Sequence, residues 1–163
     1  GDISYSFSFQ ERYRGYTAGL ENLLHKSNDQ NIALFDITDK RENDRFPVSI
    51  SQLEKMLNYK KNLPTALICA NDPVAMKVLE LMKKNDLNCP KDISIIGFDN
   101  LSKDQWMKPQ LTSVDASIRT MGIRAVELMM RRMENPSGRP EKVMITTEII
   151  KRKSVISKKS ERV

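Results

Sequence analysis

ALICANDPVAMKVLELMKKNDLNCPKDISIIGFDN, residues 66–100, is the stretch that decides the fold. A short apolar run, Ala66 to Ala70, stops at Asn71-Asp72-Pro73. An amphipathic stretch follows to Asn85, and a loop with Cys89-Pro90 leads to a second apolar run, Ile93 to Phe98. Two short apolar runs bounded by turn residues, with a helical pattern between them, predict a β-α-β unit of a parallel sheet. In open α/β sheets small ligands bind outside the carboxyl ends of the strands. Asn71, Asp72, Asp99 and Asn100 therefore fall on the expected rim. Asp72 before Pro73 is expected to act as a helix cap rather than a ligand contact.

Outward from this unit the same alternation continues. Residues 2–9 read as a strand end or extended loop. A helix follows, with Tyr13, Tyr16, Thr17, Leu20, Leu23 and Leu24 on one face and Ser8 as its expected cap. Residues 31–38, NIALFDIT, predict a strand. Val48 to Lys61 predicts a helix with the stripe Ile50, Leu53, Met56 and Leu57. Past Asp99, residues 111–115 read as a short extended segment. Ser117 opens a long helix whose apolar face runs through Ile118, Met121, Gly122, Ala125, Leu128, Met129 and Met133. Pro136, Gly138 and Pro140 end it. Lys142 to Ile150 predicts a last strand. The class is α/β, a parallel sheet flanked by helices.

Composition narrows the function. The 163 residues carry 39% hydrophobic and 29% charged side chains, as a globular protein does. No run approaches the roughly 18 apolar residues of a membrane span. Gly1-Asp2-Ile3-Ser4 has neither the basic start nor the apolar core of a signal peptide. Net charge is +6, and eight of the 27 basic residues lie in positions 139–163, which reads as a solvated basic tail rather than a nucleic-acid groove. Cys69 and Cys89 lack metal or redox spacing and read as reduced thiols of a cytoplasmic protein.

Catalytic patterns are missing from the sequence. A single His, His25, gives no nucleophile-base pair, and there is no GxSxG elbow. Neither GxGxxG nor a P-loop occurs, and two Cys with one His do not make a four-ligand zinc site. No enzyme activity, cofactor or metal is expected. A phospho-receiver would also place Asp36 and Asp99 at strand ends, but the Lys that pattern requires after the last strand is absent.

Residues 64–100, then KPQLTSVDASIRTMGIRAVELM and ITTEIIKRKSV, with RYRGY near the start, resemble the lactose/galactose-repressor (LacI/GalR) family of bacterial transcription regulators. The resemblance runs from about Ser6 to Val155. It implies a periplasmic-binding-protein-like type I fold, with two lobes joined by crossing strands and an effector between them. It implies that residues 1–155 form a truncated effector-binding domain: the second lobe plus the return crossing, without the DNA-binding helix-turn-helix and most of the first lobe. Residues 156–163 would be a basic tail. The helix 117–135 would then lack the sheet it packs on in the family, and would pack on a second copy of the chain or refold onto its own lobe.

Carried over by position, the resemblance implies effector contacts from Ser6, Ser8, Arg12, Asn71 and Asp99. From their own positions on rim loops, Phe46 and Trp106 read either as rings that stack on a sugar face or as loop anchors. Ala116 stands where many members have a polar effector contact. The implied function is sensing of a small-molecule effector, a sugar or a nucleobase-like compound, in a homodimeric regulator that meets DNA only through the helix-turn-helix. A periplasmic sugar-binding protein of a transporter is the alternative. This chain alone is expected to bind effector poorly.

Overall fold

The structure, a computed structural model, describes residues 6–24, 54, 57, 63–101 and 108–157. The chain divides into two compact units, Gly1–Pro64 with Met76–Leu87 and Thr65–Ala75 with Asn88–Val163.

Helix α1, Phe7–Leu24, belongs to the first unit. It starts earlier than the polar-aromatic alternation of residues 2–9 suggests, because Ser6 caps it. The Ser6 carbonyl accepts from the Phe9 and Gln10 amides at 3.1 and 3.2 Å, and its Oγ takes the Phe9 amide at 3.3 Å. The Phe9 amide, in the first turn, has no i−4 carbonyl within the helix, so the Ser6 hydroxyl stabilises that turn. Ser8 sits inside that turn, not at its cap. In the second predicted helix only Glu54 and Leu57 are described; both are helical, and Leu57 is fully buried. The expected strand 31–38 lies outside the described residues.

Helix α2, Asp72–Lys84, follows strand β1, Ala66–Ile68, as the sequence predicts. Its cap is Asn71, whose Oδ1 accepts from the Val74 amide at 3.0 Å. Pro73 sits in the first turn, where its missing N–H costs nothing. At the far end the Leu87 amide donates to the Met82 carbonyl at 2.9 Å and the Asp86 amide to the Lys83 carbonyl at 3.3 Å. This 6→1 and 5→2 pair is a Schellman closure, with Asp86 at φ 57 in the position glycine usually takes. Val78, Leu81 and Met82 are buried, four and three residues apart as one helix face requires.

The second unit holds a four-stranded sheet in the order β1-β2-β3-β4, with β2 Ser94–Phe98, β3 Thr112–Asp115 and β4 Glu148–Ile150. Strands β1, β2 and β3 are mutually parallel, and β4 returns antiparallel to β3. The last strand is thus shorter than the predicted span 142–150: residues 141–147 lie outside any strand or helix. Ile93, Ile95 and Leu111 are fully buried. Each such side chain contributes about 1.5–3 kcal/mol through burial. Past β4 the chain is bonded to the sheet by Ser154, whose Oγ donates to the Ile95 carbonyl at 2.6 Å and accepts from the Thr112 amide at 2.8 Å.

Helix α3, Ile118–Glu134, contains no buried residue. Ile118, Met129 and Met133 are 51%, 56% and 72% exposed. The expected refolding of this helix onto its own lobe is therefore not seen: its apolar face is exposed.

Candidate functional site at the strand ends

The carboxyl ends of β1 and β2 are adjacent and parallel, with Ile68 opposite Ile96 and the Cys69 amide donating to the Ile96 carbonyl at 2.8 Å. The residues that leave these strands therefore start from the same edge. Asn71 leaves β1 and Asp99 leaves β2. Both are candidates from the sequence, and both belong to the second unit.

Asn71 is buried, and its Oδ1 is committed to the cap of α2. The remaining Nδ2 is the part of this side chain suited to donating to a ligand. The expected cap, Asp72, has another task. It is 0% exposed, its Oδ1 accepts from the Ser113 hydroxyl at 2.7 Å, and its Oδ2 accepts from the Leu101 amide at 2.9 Å. Asp72 thus ties the start of α2 to β3 and to the turn after β2. The close approach needs Gly97: a Cβ there would overlap Asp72 Oδ1 and lie 2.9 Å from Leu111 Cδ2. A glycine inside a strand signals such an approach, and was the one clue to this contact in the sequence.

The turn after β2 is held in an uncommon shape. Asp99 has φ 109 and Asn100 φ 53, both in the region that disfavours residues with a Cβ. The turn keeps this shape through several bonds. The Asp99 amide donates to the Val114 carbonyl at 2.9 Å, and the Asn100 amide to Ser113 Oγ at 3.1 Å. Asn100 Nδ2 donates to Asp115 Oδ2 at 3.2 Å. Strain over-determined in this way is concentrated at functional sites in folded proteins. Asn100 fell on the rim expected from the sequence, whereas Ser113 and Asp115 were not singled out, because their partners Asp72 and Asn100 lie far away along the chain.

The remaining candidates belong to other parts of the chain. Ser6, Ser8 and Arg12 are on α1, in the first unit. Ser6 Oγ and Ser8 Oγ are 3.1 Å apart, and the Arg12 guanidinium lies 5.5 Å from the Phe9 ring centroid. Phe46 and Trp106 lie outside the described residues. The thiols are protonated and unpaired with each other: burial, reinforced by Asp72, pushes Cys69 up to about 12, and burial pushes Cys89 up to about 11. Among the described residues no cluster of His, Cys, Asp or Glu could hold a metal ion, and no helix is long and apolar enough to cross a membrane.

Residues 6–155 match the family model of the periplasmic binding protein-like domain. The HTH-type transcriptional repressor PurR of Histophilus somni is 34% identical over 103 residues, 63% of this chain and 31% of that protein. PurR of Pasteurella multocida is 36% identical over 96 residues, 59% of this chain and 29% of that protein. The chain spans about a third of the length of the curated relatives it matches. Among solved structures, a LacI family transcriptional regulator from Enterococcus faecium with bound ribose is similar with a TM-score of 0.77 at 21% identity. That match covers 92% of this chain and 52% of the other. At this identity the likeness establishes the periplasmic-binding-protein-like fold.

Proposed function

The chain belongs to the family of periplasmic-binding-protein-like domains, in the form carried by LacI-family regulators, and from that membership we propose that it is the effector-binding part of a cytoplasmic DNA-binding repressor. The observation that carries this reading is that Asn71 and Asp99 follow the carboxyl ends of two adjacent parallel strands. An amide with a donor to spare and a carboxylate on a strained turn leave adjacent parallel strands. A carboxylate accepts from O–H and N–H groups and an amide donates to oxygen or ring-nitrogen acceptors, so the effector is a sugar or a nucleobase-like compound. The bound ribose of the Enterococcus faecium regulator supports the same class. Ser6, Ser8 and Arg12 are kept as further effector contacts. The task is binding rather than catalysis, as in relatives named as repressors.

The proposal extends to the whole protein. Residues 1–155 are one lobe plus the return crossing, and residues 156–163 a solvated basic tail. The open face of α3 packs on a lobe formed by chain outside residues 1–163. Effector binding shifts the closure of the two lobes, and with it the spacing of DNA-binding heads in a homodimer.

Calorimetry on the full-length protein with ribose, cellobiose and hypoxanthine tests this reading. Wild type binds one of these classes. Asn71→Ser keeps a cap but loses the amide donor, and Asp99→Gly keeps the turn but loses the carboxylate. Each is expected to weaken binding about tenfold or more without lowering the melting temperature. Binding unchanged in both variants would refute the site, and a full-length protein that none of the three compounds stabilises would refute the function.

A further inference from the structure

Arg152, two residues past β4, reaches the strained turn from the return segment. Its amide donates to Thr112 Oγ1 at 2.9 Å, its Nη1 to the Leu111 carbonyl at 2.7 Å and its Nη2 to Asn100 Oδ1 at 2.5 Å. Asn100 is thereby held on three sides: by Arg152 at its side-chain oxygen, by Asp115 at its side-chain nitrogen and by Ser113 at its amide. Asp115 uses its other oxygen, Oδ1, to accept from the Ser117 amide at 2.7 Å, and Ser117, at φ 51, is the residue from which α3 departs. One chain of bonds therefore runs from the return segment through the turn that bears Asp99 to the start of α3.

We propose that Arg152 is a positioning residue: through Asn100 its guanidinium holds the Asp99 carboxylate in its binding posture and ties that posture to the departure of α3. This rests on the reading of Asp99 as an effector contact. The physical ground is the fork. Two N–H groups of one planar guanidinium reach two acceptors, a backbone carbonyl and an amide oxygen, that belong to different segments of the chain. A Lys ammonium keeps the charge but not that geometry. A left-handed Asp-Asn pair persists only where its surroundings dictate it, so releasing Asn100 frees Asp99 as well.

Residue-resolved amide hydrogen exchange on the full chain tests the inference without any ligand. In Arg152→Met the amides of Asp99 and Asn100 are expected to exchange at least tenfold faster, while those of Ile96 and Phe98 in β2 stay unchanged. Arg152→Lys is expected to match Arg152→Met, and Asn100→Gly combined with Arg152→Met to be no faster than the faster single variant. Unchanged exchange at residues 99 and 100, an equal rise throughout β2, or wild-type behaviour of Arg152→Lys would each overturn it. The two readings fail separately. A full-length wild type that binds no ribose, cellobiose or hypoxanthine counts against the effector reading, whereas the exchange pattern decides the role of Arg152.

Discussion

The Ser113 hydroxyl donates a 2.7 Å hydrogen bond to Asp72 Oδ1 across 41 positions of sequence. Both residues are fully buried. The same Ser113 oxygen accepts the Asn100 amide, so one hydroxyl joins the start of α2, the strained turn and β3. A buried carboxylate is stable only with such partners, since leaving it unpaired costs several kcal/mol.

Ser113→Ala removes the donor to Asp72 and the acceptor of the Asn100 amide together. The expected loss is about 1–3 kcal/mol in urea denaturation, because buried polar groups are left unsatisfied. Asp72→Ala, which strands the Ser113 hydroxyl and the Leu101 amide, is expected to cost at least as much. A loss below about 0.5 kcal/mol in both would show that these bonds contribute little.

Gly97→Ala is expected to destabilise by about 1–3 kcal/mol, because the added methyl overlaps Asp72 Oδ1 and crowds Leu111. Thermal melts would register the change. At Gly15, whose Cβ would meet nothing within 4 Å, the same substitution should instead be neutral or stabilising.

Burial raises the Cys69 thiol from its usual 9.0 to about 12. The folded pKa lies above the unfolded one, so the folded state holds its proton longer. The stability linked to Cys69 is whole below pH 9 and is lost as pH climbs from 9 towards 12, at roughly 1 kcal/mol per pH unit. In Cys69→Ala that part of the alkaline loss is expected to vanish, as denaturation at pH 8, 9.5 and 10.5 would reveal. At neutral pH both thiols should react slowly with Ellman's reagent, since the thiolate is the nucleophile.

Met129→Gln and Met133→Gln lie on the exposed face of α3. In the 163-residue chain they are expected to shift stability by no more than about 0.5 kcal/mol and to lower dye binding to exposed apolar surface. In the full-length protein the same pair is expected to destabilise if the proposed first lobe covers this face. Equal effects in both chains would argue against a covering lobe.

The β-α-β unit was legible because its signals are local. Two apolar runs, Asn71-Asp72-Pro73 and the stripe through Val78, Leu81 and Met82 are periodicities inside a few turns of chain. So were the strand-end positions of Asn71 and Asp99, since a polar residue directly after a buried strand has one edge of the sheet to occupy. The α3 helix was legible for the same reason. The early start of α1 was not, because a two-residue alternation and a Ser-capped helix share the same letters over so short a span.

What the sequence determined by itself was the succession of β1, α2 and β2, and which polar residues leave those strands, because spacing along the chain sets both. Only the tertiary structure decided the division of labour between neighbours. Asn71 and Asp72 are equally good caps by composition. Asp72 was drawn away because Ser113, on a strand reached much later in the chain, and the Leu101 amide offer its carboxylate two bonds in a place closed to water. The posture of Asn100 was decided in the same way, by Arg152, Asp115 and Ser113 meeting around it, a convergence that exists only once the sheet has brought distant segments side by side.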